Sequence, residues 1–135
     1  MVMRYLLDTN IWIFYLKNSS SLVGHRLRNT SASDIAVCSV VLAELLHGAR
    51  KYEKRAERVA RVELTLSPFI SLSFDDAAAR YYAEIRNDLE SRGATIGPND
   101  MMIAAIARTH GLILVSNNRE FNRVPDIKSE DWTIE

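Results

Sequence analysis

Three acidic residues stand in surroundings that are otherwise apolar. Asp8 directly follows the run Tyr5-Leu6-Leu7, Glu44 is the only charge within residues 40–46, and Asp100 lies between Gly97-Pro98-Asn99 and the apolar residues 101–107. A charge set among apolar residues sits either on a narrow exposed stripe or in the interior with a partner. Each acid has a plain structural explanation. Asp8 can cap the helix that follows it, Glu44 can ride on an exposed stripe, and Asp100, in a first helical turn, gains about 0.3–1 kcal/mol from the helix dipole. For Asp8 or Asp100 alone that explanation suffices. Invoked three times for three similar settings, it loses ground to a shared chemical role. A fourth acid, Glu120, ends the polar segment Ser116-Asn117-Asn118-Arg119-Glu120. Here Glu120 reads as a direct or water-mediated ligand and Asn118 as a neutral oxygen donor, with a solvated loop held by Asn side chains equally open.

Converging carboxylates without Cys or His make a site for a hard cation, and oxygen-only ligands suit Mg²⁺ or Mn²⁺. Without a cation, Asp8, Glu44 and Asp100 would repel one another and their pKa values would rise. With one or two divalent ions, such a site lowers the pKa of a water, aligns it with a phosphorus and stabilises the leaving oxygen. Hydrolysis of a phosphodiester is the chemistry this set serves best. Other reactive types offer less. Cys38, the single cysteine, sits in Ile35-Ala36-Val37-Cys38 and reads as a small core residue. His25, His47 and His110 lack metal-ligand spacing. Glu44-x-x-His47 would need a second such motif and further Glu residues to hold a di-iron centre.

The elements that must position these acids alternate between strand and helix. Tyr5-Leu6-Leu7 is a short buried strand. Residues 9–17 carry Ile11, Trp12, Phe14 and Tyr15 at helical spacing, and residues 21–28 form a second amphipathic stretch before a polar loop over 29–34. Residues 35–38 are the next strand, and Ser39 reads as the N-cap of a helix through about Tyr52. Residues 53–66 are helical with Val59, Val62 and Leu66 on one side; Pro68 breaks the helix, and residues 69–72 are a third strand. Ser73 and Asp76 resemble a capping box that opens a helix to about Arg92, ended by Gly93. Pro98 takes the first position of a helix to about His110, with Gly111 as its C-cap. Residues 112–115 are a fourth strand and 132–134 a short fifth. This order implies an α/β fold, a parallel sheet of four to five strands with helices on both faces. Open sheets of this kind place their sites beyond the carboxyl ends of the strands, where Asp8, Glu44 and Asp100 fall.

At 135 residues the chain is expected to form one domain over 1–135. A content of 47% hydrophobic and 25% charged residues excludes a disordered or collagen-like chain, and one cysteine excludes a disulfide scaffold. No apolar run approaches the roughly 18 residues of a membrane span. The stretch before Asp8 is too short for a signal peptide, so a cytoplasmic protein is expected. Lys plus Arg and Asp plus Glu number 17 each, so any attraction to nucleic acid must be local. Arg50, Lys51, Lys54, Arg55, Arg58 and Arg61 crowd one region. Lys51, Lys54, Arg55 and Arg58 are candidate contacts to RNA phosphates, with a solvated helix face and local ion pairs equally open.

Four segments in order carry a resemblance: Leu6-Leu7-Asp8-Thr9-Asn10; Ser39 with Glu44-Leu45; Ile96-Gly97-Pro98-Asn99-Asp100 with Ile103-Ala104-Ala105; and the tail from Leu114-Val115-Ser116 through Arg119-Glu120-Phe121 to Asp131-Trp132. Together they resemble the PIN-domain ribonucleases and, more narrowly, the VapC-type toxins of bacterial toxin–antitoxin pairs, over essentially the whole chain. The resemblance implies a PIN-like three-layer fold and a Mg²⁺- or Mn²⁺-dependent endoribonuclease acting on tRNA or rRNA. It puts the family's acids on Asp8, Glu44 and Asp100, and its small polar residues on Asn10 and Ser39. Many PIN domains carry an Asp near the end of the fourth strand, where this chain has Asn117 and Asn118. Related toxins also have one more residue before the Arg-Glu-Phe segment, so Glu120 is expected to supply the fourth acid. The resemblance further implies a VapB-type antitoxin that brings a basic residue to the acidic pocket, and a homodimer or a toxin–antitoxin hetero-oligomer. Trp12 and Tyr15 are expected to be partly exposed as anchors for that partner.

Rival readings meet specific gaps. A haloacid-dehalogenase-like phosphatase would want a second Asp where Asn10 stands. A receiver domain would want an early acidic pair and a Lys after a late strand. A PIN nuclease that is not a toxin, or a non-catalytic RNA- or protein-binding module with structural acids, stays open; metal-dependent cleavage by the pure protein separates the latter.

Overall fold

Apolar runs too short for helices become strands: β1 (Tyr5–Leu7), β2 (Ile35–Cys38), β3 (Ile70–Leu72), β4 (Ile113–Val115) and, without that apolar signal, β5 (Lys128–Glu130). The structure, a computed structural model, describes residues 3–135. Among the described residues the strands form one parallel sheet in the order β3-β2-β1-β4-β5. Every residue of β1 and β2 is buried, as expected for parallel strands covered on both sides. The helices are α1 (Thr9–Lys17), α2 (Leu22–Arg28), α3 (Ser39–Ala49), α4 (Arg55–Leu66), α5 (Asp76–Ser91) and α6 (Pro98–His110). Connections from β1 to β2 to β3 run one way along the sheet, and the connection from β3 to β4 runs back. Right-handed crossovers therefore put α1–α4 on one face and α5–α6 on the other. The reversal falls between β1 and β4, which is the crevice where such sheets carry their sites. No helix among the described residues is long and apolar enough to cross a membrane.

Several boundaries differ from the sequence expectation. Cys38, in extended conformation, is the N-cap of α3; Ser39 is its first helical residue, and its hydroxyl accepts the Phe74 N–H at 3.3 Å. The helix stops at Ala49 rather than near Tyr52, and α4 begins at Arg55 rather than Glu53, because Lys54 turns the chain through a left-handed conformation (φ 61°). Asp75, not Ser73, caps α5: its carboxylate accepts the Ala78 N–H at 3.0 Å. Residues 32–34 make a short 3-10 turn within the expected loop. The fifth strand is Lys128–Glu130 instead of 132–134. Trp132 is drawn into the core, with its ring 5.1 Å from that of Tyr5, while Asp131 accepts the Thr133 N–H and hydroxyl and bends the chain out of an extended path.

Trp12 also departs from expectation, being fully buried against Tyr15 and Phe69. Its ring fills the space between α1 and the start of β3, where an aromatic side chain gains more from the core than from an interface. Tyr15 is half-buried, and Phe14 is the exposed aromatic of α1.

Candidate active site

Asp8 leaves β1 at the sheet's reversal point, and its N–H donates to the Val115 carbonyl at 3.0 Å. One carboxylate oxygen accepts the Ile11 N–H at 3.1 Å, the N-cap anticipated from sequence, and the other accepts the Ser116 hydroxyl. Glu44, in the second turn of α3, is half-buried. Its Oε1 accepts the Thr9 hydroxyl at 2.5 Å and its Oε2 the Asn99 amide at 3.4 Å. Asp100, in the first turn of α6, accepts the Asn118 amide at 3.4 Å. Asn118 in turn gives its N–H to Ser116 Oγ at 2.9 Å and receives the Glu120 N–H at 3.0 Å, which caps a 3-10 turn over Arg119–Arg123. A chain of hydrogen bonds thus joins Asp8 to Asp100 through Ser116 and Asn118.

The electrostatics reflect crowding. Burial raises the Asp8 carboxyl from 3.8 to about 6; the Ser116 and Ile11 bonds oppose the rise, and Asp100 and Glu44 add repulsion. Asp100 is also raised, first by burial and then by Glu44 and Glu120. Glu120 is exposed and paired with Arg123 at 3.3 Å, yet near enough for Asp100 to feel its charge. Among the described residues no Lys or Arg makes an ion pair with Asp8, Glu44 or Asp100. Burial pushes the Cys38 thiol up to about 11, in keeping with a core residue rather than a nucleophile.

Among the described residues no three His, Cys, Asp or Glu side chains close on one point as a ready set of direct ligands. The donor set still fits a hard divalent ion. It is all oxygen, its charge is unanswered, and Mg²⁺ commonly takes one or two carboxylates and keeps several waters.

Of the other residues singled out in the sequence, Asn10 and Asn117 are exposed and take no part in the hydrogen bonds around the three acids, and Ser39 is committed to Phe74. Two adjoining hollows, of about 380 and 610 Å³, share Ile13, Glu44, Gly48 and Lys51. Lys51 and Arg58 line the first; Lys54 and Arg55 are exposed but do not line either. Sequence reasoning missed Thr9, Asn99 and Ser116 as partners of the acids. Thr9 adjoins Asp8 and could have been noticed. Ser116 becomes visible only once β4 is known to lie beside β1.

Residues 5–127 match the PIN domain family. The chain is 41% identical over 133 residues to the tRNA(fMet)-specific endonuclease VapC of Shigella flexneri, covering 98% of this chain and 100% of that protein. It is 40% identical over 132 residues to ribonuclease VapC2 of Haemophilus influenzae, covering 97% and 99% respectively. The crystal structure of DNA-bound VapBC from Salmonella typhimurium contains a chain that matches with a TM-score of 0.92 at 37% identity, over 97% of this chain and 99% of that one. The chain belongs to the PIN-domain family and, within it, to the VapC ribonucleases.

Proposed function

We propose that the chain is a Mg²⁺- or Mn²⁺-dependent endoribonuclease, a single PIN domain over 1–135 that hydrolyses RNA phosphodiesters at Asp8, Glu44 and Asp100. The grouping carries the reading: Ser116 and Asn118 link Asp8 to Asp100, Glu44 is near enough for both to feel its charge, and among the described residues no Lys or Arg forms an ion pair with any of the three. A helix cap or a dipole partner alone would need no such grouping. A divalent ion held by these three acids would lower the pKa of a water and offset charge on the phosphate. The protein's own part is orientation. Ser116 and the Ile11 N–H fix Asp8, Thr9 and Asn99 fix Glu44, and Asn118 fixes Asp100, so little reorganisation is left for the reaction itself. Glu120, at the rim, acts as an auxiliary acid that positions water.

The Shigella relative is a tRNA(fMet)-specific endonuclease, which makes tRNA the first substrate to test, with rRNA beside it. The solved relatives include VapBC complexes from Salmonella typhimurium and Rickettsia felis. The same reading gives this chain a VapB-type antitoxin over its acidic pocket, a homodimer or toxin–antitoxin hetero-oligomer as its assembly, and the cytoplasm as its place of action. Purified protein should cut total tRNA or rRNA in Mg²⁺ and lose this activity in EDTA and in folded Asp100→Asn. Cleavage indifferent to EDTA, or near-wild-type cleavage by Asp100→Asn, overturns the assignment.

A further inference from the structure

The hollow that begins at Glu44 continues between the end of α1, the turn after α3 and the first two turns of α4. Lys17, Lys51, Arg58 and Arg61 line it, and Glu44 is its one acid. Among the described residues none of these four cations forms an ion pair with a carboxylate. Arg61 is nonetheless committed to the fold, since its guanidinium donates to the Leu16 carbonyl at the end of α1. Among the described residues the Lys17 and Lys51 ammonium groups make no hydrogen bond, and Arg58 spends only its Nε–H on a backbone carbonyl, in a chain whose overall charge is zero. The local excess is therefore a property of this wall and not of the whole protein.

Tyr52 stands on the same wall. It is 63% exposed, and the Arg58 guanidinium lies 5.6 Å from its ring centroid. The Arg58 Nε–H is anchored to the Glu53 carbonyl at 3.1 Å, which steadies the pair. An exposed aromatic ring among unpaired cations, beside an acid cluster, matches the chemistry of single-stranded nucleic acid binding: bases stack on the ring and phosphates meet the cations.

We propose that this trough is the track for single-stranded RNA flanking the cut, with Tyr52 as the platform on which a base stacks and Lys17, Lys51 and Arg58 as phosphate contacts. The proposal rests on the ribonuclease reading. Charge complementarity selects a polyanion as the occupant.

The test uses the full chain carrying Asp100→Asn, so that RNA is bound but not cut, and a short fluorescein-labelled single-stranded RNA followed by anisotropy at several salt concentrations. Tyr52→Ala should weaken binding by about 5- to 150-fold, the range that loss of one stacked base gives, and leave the salt dependence unchanged. Tyr52→Phe should bind as the parent does. Lys51→Ala and Arg58→Ala should each lower the slope of log K against log salt by about 0.7. Binding by Tyr52→Ala as tight as the parent's, or unchanged slopes for both cation variants, overturns the track. If the wild-type chain still cuts RNA in that case, the ribonuclease reading stands and only the track falls; if it neither binds nor cuts, both fall. Variants that lose a small protein partner while keeping RNA binding would make the trough a protein-docking surface, which also overturns the proposal.

Discussion

Replacing Asp8 by Asn keeps an oxygen for the helix cap and removes the charge, and pH separates the two effects. Burial holds the folded Asp8 carboxyl at about 6 instead of 3.8, so the folded chain binds this proton more tightly than the unfolded one. Below the ordinary value both states are protonated and Asp8 has no effect on stability. As pH rises through the window up to about 6, the unfolded chain gives up its proton first and stability falls; above that the loss is complete. The difference between the two values corresponds to about 3 kcal/mol. Against it, Asn weakens the bond from the Ser116 hydroxyl by about 1 kcal/mol at every pH. Asp8→Asn should therefore be more stable than wild type by about 2 kcal/mol at neutral pH, a rise of roughly 5–10 °C in Tm, and slightly less stable near pH 4. Thermal unfolding of both proteins in EDTA across this pH range measures the crossing. Added Mg²⁺ should then raise the Tm of wild type but not of the variant. A variant less stable than wild type at neutral pH in EDTA would refute the reasoning, because no uncompensated buried charge would remain to attract a cation.

Glu120→Gln should slow cleavage by about 10–100-fold, as supporting residues of metal sites do; an unchanged rate at limiting Mg²⁺ would leave Glu120 only its ion pair with Arg123. Ser116→Ala removes both the donor to Asp8 and the acceptor for the Asn118 N–H, and should cost about 2 kcal/mol in urea unfolding. It should also lower kcat more than it changes KM, with Ser116→Thr restoring both; an unaltered kcat would make Ser116 a purely structural residue. Expression of the chain alone should arrest bacterial growth, and co-expression of its antitoxin should relieve the arrest. Harmless expression of the folded, unpaired chain would remove the toxin reading and leave a PIN nuclease of another kind.

The sequence was most legible where one residue's own chemistry sets the backbone. Pro98 opens α6 and Gly111, at φ 64°, closes it, because neither signal depends on distant neighbours. The apolar runs of β1 and β2 were equally plain. β5 was not: its Lys-Ser-Glu is an edge strand held by backbone pairing to β4, and Trp132 nearby offered a stronger but misleading β signal. Ser39 and Ser73 looked like caps because hydroxyls usually serve there, whereas the cap of α3 is Cys38 and that of α5 is Asp75. The three acids stood out since a charge in an apolar run is a local anomaly. Their partners did not, because a Thr, an Asn or a Ser after a strand is common, and its role depends on the strand order. Trp12 was misjudged for a similar reason, as an aromatic on an amphipathic helix suits an interface and a core alike. Its Nε1 is a buried side-chain donor without a partner among the described residues, and composition gave no warning of that.

The position of β1 at the centre of the sheet has a consequence for synthesis. β1 pairs with β2 on one side and with β4 on the other, and the hydrogen bond from Ser116 to Asp8 joins residues 108 positions apart. A growing chain can assemble β1, β2 and β3 with α1–α4 early, which brings Glu44 toward Asp8. Asp100 and Ser116 do not yet exist at that stage. The acid set is therefore incomplete until the chain has passed residue 116 and closed a large loop, the slow kind of closure that long-range parallel pairing imposes. For an enzyme that cuts RNA, the ribosome producing it carries only an unfinished site.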